Sequence, residues 1–302
     1  MGKNVIVVGS MNMDLVVNTD EIPKVGETVL GNELLQIPGG KGANQGVAIA
    51  KLNNNITFLG KVGKDGFGDE LLKSMSNAGV NIEHIERVEI STGIAIINVD
   101  KEGNNNIVVV SGANGRVDKE YLNRHISAFK EADIVVFQLE IPLDTVREGL
   151  RIAKELGKTT ILNPAPAMDL DDSIIETIDI LIPNEHELER LSKVKVKDKE
   201  SIVEAANVLL KKGIREIIVT LGSKGVFHID DNGYKFFPAY KVNVVDTTAA
   251  GDSFIGGFVC SYMDDKDIEK AIDMGQKTAA LAIQKVGAQS SLPSREEVEN
   301  FK

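Results

Sequence analysis

Only one cysteine, Cys260, occurs in 302 residues. No intramolecular disulfide can form, and the surrounding apolar run IGGFVCSYM marks Cys260 as a buried, inert thiol. That usage fits a reducing cytoplasm. Basic residues are also in deficit: 34 Lys and Arg face 45 Asp and Glu, a net charge of −11. Such a chain repels nucleic acid and anionic membrane surface, so an anionic ligand would need a local site. No apolar stretch approaches the length of a membrane span. The opening MGKNVIVVGS has too short an apolar run for a signal peptide, and Ile6 stands where a myristoylation motif needs Ser or Thr. Internal repeats, low-complexity tracts and linker-like Pro/Gly/Ser runs are missing. The expectation is therefore one domain over residues 1–302.

Two common nucleotide fingerprints are absent as well. Gly157-Lys158-Thr159 resembles the end of a Walker A loop, but Ile152 stands where the motif needs its first Gly, and the segment precedes a strand instead of a helix. VGSMNMD, Val8 to Asp14, follows a strand but lacks G-x-G-x-x-G, which disfavours a nicotinamide-dependent oxidoreductase. Any nucleotide is bound by other means.

What is present is an alternation. Short runs rich in Val and Ile, NVIVVG, DIVVFQLE, TTILNPAP, IDILIPN and REIIVTLG, read as strands buried on both faces of a parallel sheet. Between them TVREGLRIAKELG and SIVEAANVLLKKG have apolar residues at helical spacing and stop at Gly157 and Gly213. The pattern predicts an α/β fold with a doubly wound, mostly parallel sheet flanked by helices. Two regions, about 12–37 and 88–110, break the rhythm. In the second, TGIAIINV and NNIVVV flank the turn-forming DKEGNN. These regions are expected to form a small antiparallel β lid whose apolar face needs covering, which predicts a homodimer through the lid strands.

Several segments carry chemistry. PGGKGANQGVAIAKL, Pro38 to Leu52, joins a Gly-rich turn to a helix of small residues. It reads either as a tight turn with close helix packing or, through Lys41 and Asn44, as a holder for a polyhydroxylated ligand. Asn12, Asp14 and Glu140 lie just past buried strands, at the sheet edge where ligands bind in open α/β folds, although Glu140 alone would pass as a solvated loop carboxylate. Pro183-Asn184-Glu185-His186-Glu187 is an N-cap with acidic first-turn residues, or else Glu187 organises Mg²⁺ waters. Thr220 to Gly225 suits either a loop against ribose or phosphate or a turn between strands. VDTTAAGDSFIGGF places Asp252 after three small residues at a helix start, which offers an anion cradle beside a possible base.

Taken together, these segments resemble the PfkB family of carbohydrate kinases from VVGSMNMD through to GAQSSLPS. PGGKGANQ and DTTAAGDSFIGGF correspond to the two signature regions of that family and occur in order, far apart in the chain. NPAP and the P-N-x-x-E helix start add to the match.

The resemblance implies transfer of a phosphoryl group from ATP to O5 of D-ribose. Asp252 would be the base, and the backbone of Ala249, Ala250 and Gly251 the anion hole. Asn12, Asp14, Gly40, Lys41, Gly42, Asn44 and Glu140 would hold the sugar. Asn184, Thr220, Gly222, Ser223, Gly225 and Gln276 would line ATP, with Glu187 supporting Mg²⁺. Gln276 stands where some relatives carry His or Asn. A K⁺ ion beside the anion hole would take oxygens from Asp246, Thr248, Ala282, Lys285, Gly287 and Ser291, several of them backbone carbonyls. The alternatives are a relative acting on deoxyribose, fructose or a nucleoside, and a sugar-binding protein that lost the chemistry. The intact Asp252 segment argues against the latter.

Overall fold

The computed structural model describes residues 3–301. Strand β1 (Asn4–Val8) runs into β2 (Asn12–Thr19), β3 (Gly31–Gly39) and helix α1 (Lys41–Lys51). Next come β4 (Asn55–Leu59), β5 (Lys61–Gly63), α2 (Gly66–Asn77), β6 (Glu86–Val88), β7 (Gly93–Val99) and β8 (Asn105–Val110). The expected alternation follows, with α3 (Lys119–Arg124), α4 (Ile126–Glu131), β9 (Ile134–Phe137), α5 (Leu143–Glu155), β10 (Thr159–Leu162) and α6 (Asp172–Ile175). It continues through β11 (Ile180–Leu181), α7 (Glu185–Ser192), α8 (Lys199–Leu210) and β12 (Glu216–Thr220). The hairpin β13 (Gly225–Asp230) and β14 (Gly233–Pro238) precedes α9 (Ala250–Asp265), α10 (Ile268–Ala282) and α11 (Arg295–Glu299).

Eight strands form the main sheet in the order β14-β13-β12-β11-β10-β9-β1-β4. Pairing is parallel from β4 across to β12 and antiparallel for the last two strands. The five Val/Ile runs all lie in the parallel part, and NITFL of β4, a run that the sequence reading passes over, makes a sixth. Continuous apolar character is required here because each strand is covered twice. Ile6 and Val8 pack with Phe137 and Leu150 in one core layer, while Val5 and Val7 pack with Phe58, Phe254 and Phe258 in the other.

The lid is a separate four-stranded sheet, β3-β2-β7-β8. Its two outer pairs are antiparallel, as expected, while its centre, β2 on β7, is parallel. In this register Asp14 shares one face with Val16, Leu35, Ile37, Ala95, Ile97, Ile107 and Val109. Ile107 and Val109 are about half exposed. Among the described residues no helix is long and apolar enough to cross a membrane.

Helices α1 and α9 are pressed together, which sets the site. A Cβ built on Gly256 of α9 would lie 2.3 Å from Cβ of Ala48 in α1. An alanine there would force the helices apart at a cost of about 1–3 kcal/mol.

Candidate active site

The connections from β1 and β9 lead to opposite sides of the main sheet, so a crevice opens between their carboxyl ends. The first turn of α1 fills its floor. Ser10 Oγ, just past β1, donates to Oε2 of Glu140, just past β9, at 2.5 Å. The same oxygen accepts the Lys41 N–H at 3.1 Å, and Ser10 O accepts the Ala43 N–H at 2.9 Å. These contacts satisfy helix-start donors that otherwise lack partners. The turn must come this close because Gly40 has φ +91°, and a Cβ on it would sit 2.6 Å from the Asn12 nitrogen.

Asp252 occupies the first turn of α9 and is 7% exposed. It does not cap the helix. The cap position is Ala249, in the left-handed region at φ 58°, and no side chain accepts from the first turn. Holding a non-Gly residue there costs about 1 kcal/mol. The Ser253 N–H and Oγ, both donating to Ala249 O, tie the turn down. Each Asp252 oxygen takes one amide donor. Asn44 Nδ2 reaches Oδ2 at 3.1 Å and Gln45 Nε2 reaches Oδ1 at 3.0 Å. Oδ1 of Asn44 is buried without a partner, an acceptor left open for a ligand hydroxyl.

The electrostatics follow from crowding carboxylates around one ammonium. Burial raises Asp252 above the usual carboxylate range, against the pull of Lys41 and the two amides. Asp14 is pushed up to about 7, first by burial and then by Glu140 and Asp252. Burial disfavours charge on Lys41, yet Asp252, Glu140, Glu187 and Asp14 outweigh it and hold its ammonium above the usual range. Glu187, 6% exposed, is also raised by burial. Four carboxylates sharing one lysine leave the site short of positive charge.

A cavity of ≈ 260 Å³ is lined by Lys41, Asn163, Asn184, Glu187, Thr220, Thr247 and the run Ala249 to Asp252, with Ala165, Ile182 and Ile255 as apolar walls. The fold thus brings one end of the sugar-binding set together with the anion-hole segment and part of the expected ATP set. Asn184 and Glu187 form a reciprocal capping box on α7, in which Asn184 N and Nδ2 donate to the two Glu187 oxygens at 2.9 and 3.0 Å. Gly222 and Ser223 lie in a one-turn 3-10 segment past β12 and, like Gly225, do not line this cavity. Gln276 does not line it either, and its amide donates to the carbonyls of Phe237 and Pro238 at 3.3 and 3.1 Å.

Of the expected cation ligands, Asp246, Thr248 and Gly287 are brought together. Asp246 accepts from the N–H of Thr248 at 2.8 Å and of Gly287 at 2.9 Å, and Ile283 O accepts the Val245 N–H at 2.8 Å. Ala282 and Ser291 are buried nearby in sequence, and Ser291 Oγ donates to Ala288 O. The Lys285 side chain instead pairs with Glu297. Burial opposes charge on Asp246, but these hydrogen bonds prevail and keep its carboxyl below the usual range, hence ionised.

Three amides that sequence reasoning gave no role hold the site together. Asn114 clasps Met11, accepting its N–H and donating to its O at 3.0 Å each, and also donates to Asn12 Oδ1 at 2.7 Å. Gln45 and Gln138 are fully buried and hydrogen-bonded to each other at 2.6 Å. Gln45 stood within a quoted motif, but nothing local separates an amide that faces a ligand from one that faces a carboxylate.

The model of the pfkB family carbohydrate kinases matches residues 2–295. Ribokinase of Haemophilus influenzae is 40% identical over 302 residues, covering 100% of this chain and 99% of that protein. Deoxyribokinase of Salmonella typhi is 38% identical over 300 residues, covering 99% and 98%. The structure of Arabidopsis thaliana ribokinase complexed with ribose and ATP superposes with a TM-score of 0.95 at 31% identity, covering 100% and 99%.

Proposed function

The chain belongs to the pfkB family of carbohydrate kinases, and on that premise we propose that it phosphorylates D-ribose at O5 with ATP, giving D-ribose 5-phosphate and ADP. The observation that carries this reading is the placement of Asp252. A buried carboxylate stands beside an uncapped helix start in one cavity. O5 attacks the γ-phosphorus, the bond to the ADP oxygen breaks, and the hydroxyl proton passes to Asp252. The backbone of Ala249, Ala250 and Gly251 forms the anion hole for the transferred group, and the Ala250 N–H, which donates to Thr247 O at 3.2 Å in this structure, turns to the phosphoryl only when that bond opens. Asn12, Asp14, Gly40, Lys41, Gly42, Asn44 and Glu140 hold the sugar. Asn184, Thr220, Gly222, Ser223 and Gly225 border the nucleotide, with Gln276 on its adenine side.

Mg²⁺ fits a site with four carboxylates and one lysine, and when bound it neutralises phosphate charge. Among the described residues the one set of three acidic or imidazole groups within chelating reach is Glu216, His228 and Asp230, none of which lines this cavity. Bound Mg²⁺ would be held mainly through phosphates and water, with Glu187 as the carboxylate beside it. K⁺ would fit next to Asp246, an ionised carboxylate that already gathers Thr248 and Gly287, with Ala282, Lys285 and Ser291 proposed to add backbone or side-chain oxygens. When bound it would settle the loop that leads into Ala249.

The whole chain acts as one catalytic domain in the cytoplasm, and a second copy covers the apolar lid face. Deoxyribose is the second reading, supported by the relative at 38% identity. Coupled ATP-turnover assays over ribose, deoxyribose, fructose and adenosine decide between them. Ribose should give the highest kcat/KM, because a missing hydroxyl strands buried polar partners. A higher value for any other acceptor would overturn the assignment.

A further inference from the structure

We propose that Gln45 is a positioning residue for phosphoryl transfer: one of its amide donors fixes Oδ1 of Asp252, and Gln138 and Asn163 fix Gln45 in turn. Gln45 is fully buried. Its Nε2 donates to Asp252 Oδ1 at 3.0 Å and to Asn163 Oδ1 at 3.2 Å, and its Oε1 accepts from Gln138 Nε2 at 2.6 Å. Asn163 is itself oriented by donating to Ile182 O at 3.0 Å. A main-chain carbonyl therefore sets Asn163, which presents an oxygen and so demands a donor from Gln45. Turned over, the Gln45 amide would aim its oxygen at a carboxylate and at the Asn163 oxygen. The chain thus has one direction, and it ends with N–H pointing at Asp252.

The two amides on Asp252 differ in what they can offer. Asn44 has a buried, unpaired Oδ1 and faces the substrate as well as the base. Gln45 lies behind Asp252, with both Nε2 hydrogens and its oxygen taken by protein groups, so it serves the base alone. A donor to the ionised carboxylate favours that form against the burial that disfavours it. The other charged groups acting on Asp252 are Lys41 on α1, Glu140 past β9, Asp14 on β2 and Glu187 on α7.

The proposal rests on the reading of Asp252 as the base, so Asp252→Asn is measured beside Gln45→Met, which keeps volume and removes the donor. Single-turnover phosphoryl transfer is followed from pH 5 to 9 with saturating ribose and MgATP. In Gln45→Met the acid limb should move up by about one pH unit, lowering the rate at pH values below the limb on the order of tenfold while the alkaline plateau and ribose affinity change little. If Asp252→Asn is slow and Gln45→Met keeps the wild-type limb, the role of Gln45 is overturned while the base stands. If Asp252→Asn turns over normally, the base reading fails and this proposal fails with it. Should Gln45→Met not fold, Gln138→Met frees the Gln45 amide to turn. A smaller limb shift in the same direction supports the proposal, and an unmoved limb overturns it.

Discussion

Asn44 and Asp252, 208 positions apart in the chain, share a hydrogen bond of 3.1 Å. The bond ties the first turn of α1 to the first turn of α9, the helix proposed to hold the sugar to the helix proposed to bear the base. The close approach of Gly256 to Ala48 holds the same pair of helices one turn further along α9.

Asp252→Asn keeps size and polarity but removes the proton acceptor. A positioned general base contributes about 10²- to 10⁴-fold, so kcat should fall on that order while ribose affinity and melting temperature stay near wild type. Normal turnover in a folded, ribose-binding variant would place the base elsewhere.

Asp14 gives a pH-dependent stability. Its carboxyl is raised to about 7 from an ordinary 3.8, so the native state gains from its proton below about pH 4 and loses that gain as pH rises through about 7. Asp14→Asn stays neutral throughout. Its melting temperature relative to wild type should therefore climb between pH 5 and pH 8, by about 2–4 °C for each kcal/mol relieved. A difference that is flat with pH would sink the argument.

Potassium should activate, and sodium should do so less well. Asp246→Ala should blunt the response and lower kcat more than it raises the ribose KM, because the proposed task of the cation is to settle the loop before transfer. Equal rates in potassium-free buffer would remove this expectation.

The lid face predicts association. Ile107 sits 54% exposed on the apolar face that also carries Val16, Ile97 and Val109, and burying such a face in a two-fold contact is the ordinary remedy. Sedimentation at micromolar concentration should give a dimer for the wild type and a monomer for Ile107→Asp. A monomeric wild type would contradict it.

Much of this was legible in the sequence because its signals are local. Five parallel strands announced themselves as Val/Ile runs, and the glycines of PGGKGANQ marked a turn that only small residues can make. Asp252 stood out through its small neighbours. Non-local facts were not legible. The parallel pairing of β2 with β7 joins segments far apart in the chain, and neither strand carries a mark of the other. The tasks of Gln45, Gln138 and Asn114 depend on which amide atom faces which partner, and a residue letter does not encode that. NITFL of β4, as long as β1, was passed over because it holds one Ile and no Val among Asn, Thr, Phe and Leu.

The strand order has a consequence for a chain emerging from a ribosome. After β4 joins β1, each later strand of the main sheet, β9 through β14, adds to the growing edge in the order of synthesis. Nothing has to be inserted between strands already paired, so the sheet can lengthen as the chain appears. Asp252 arrives only after β14 has closed that edge. A nascent chain stopped at about residue 240 would hold every strand of the sheet but neither Asp252 nor α9 and α10, whose Phe254, Phe258 and Ile272 cover one face of it, so that face and the first turn of α1 gain their support in the same step that delivers the proposed base.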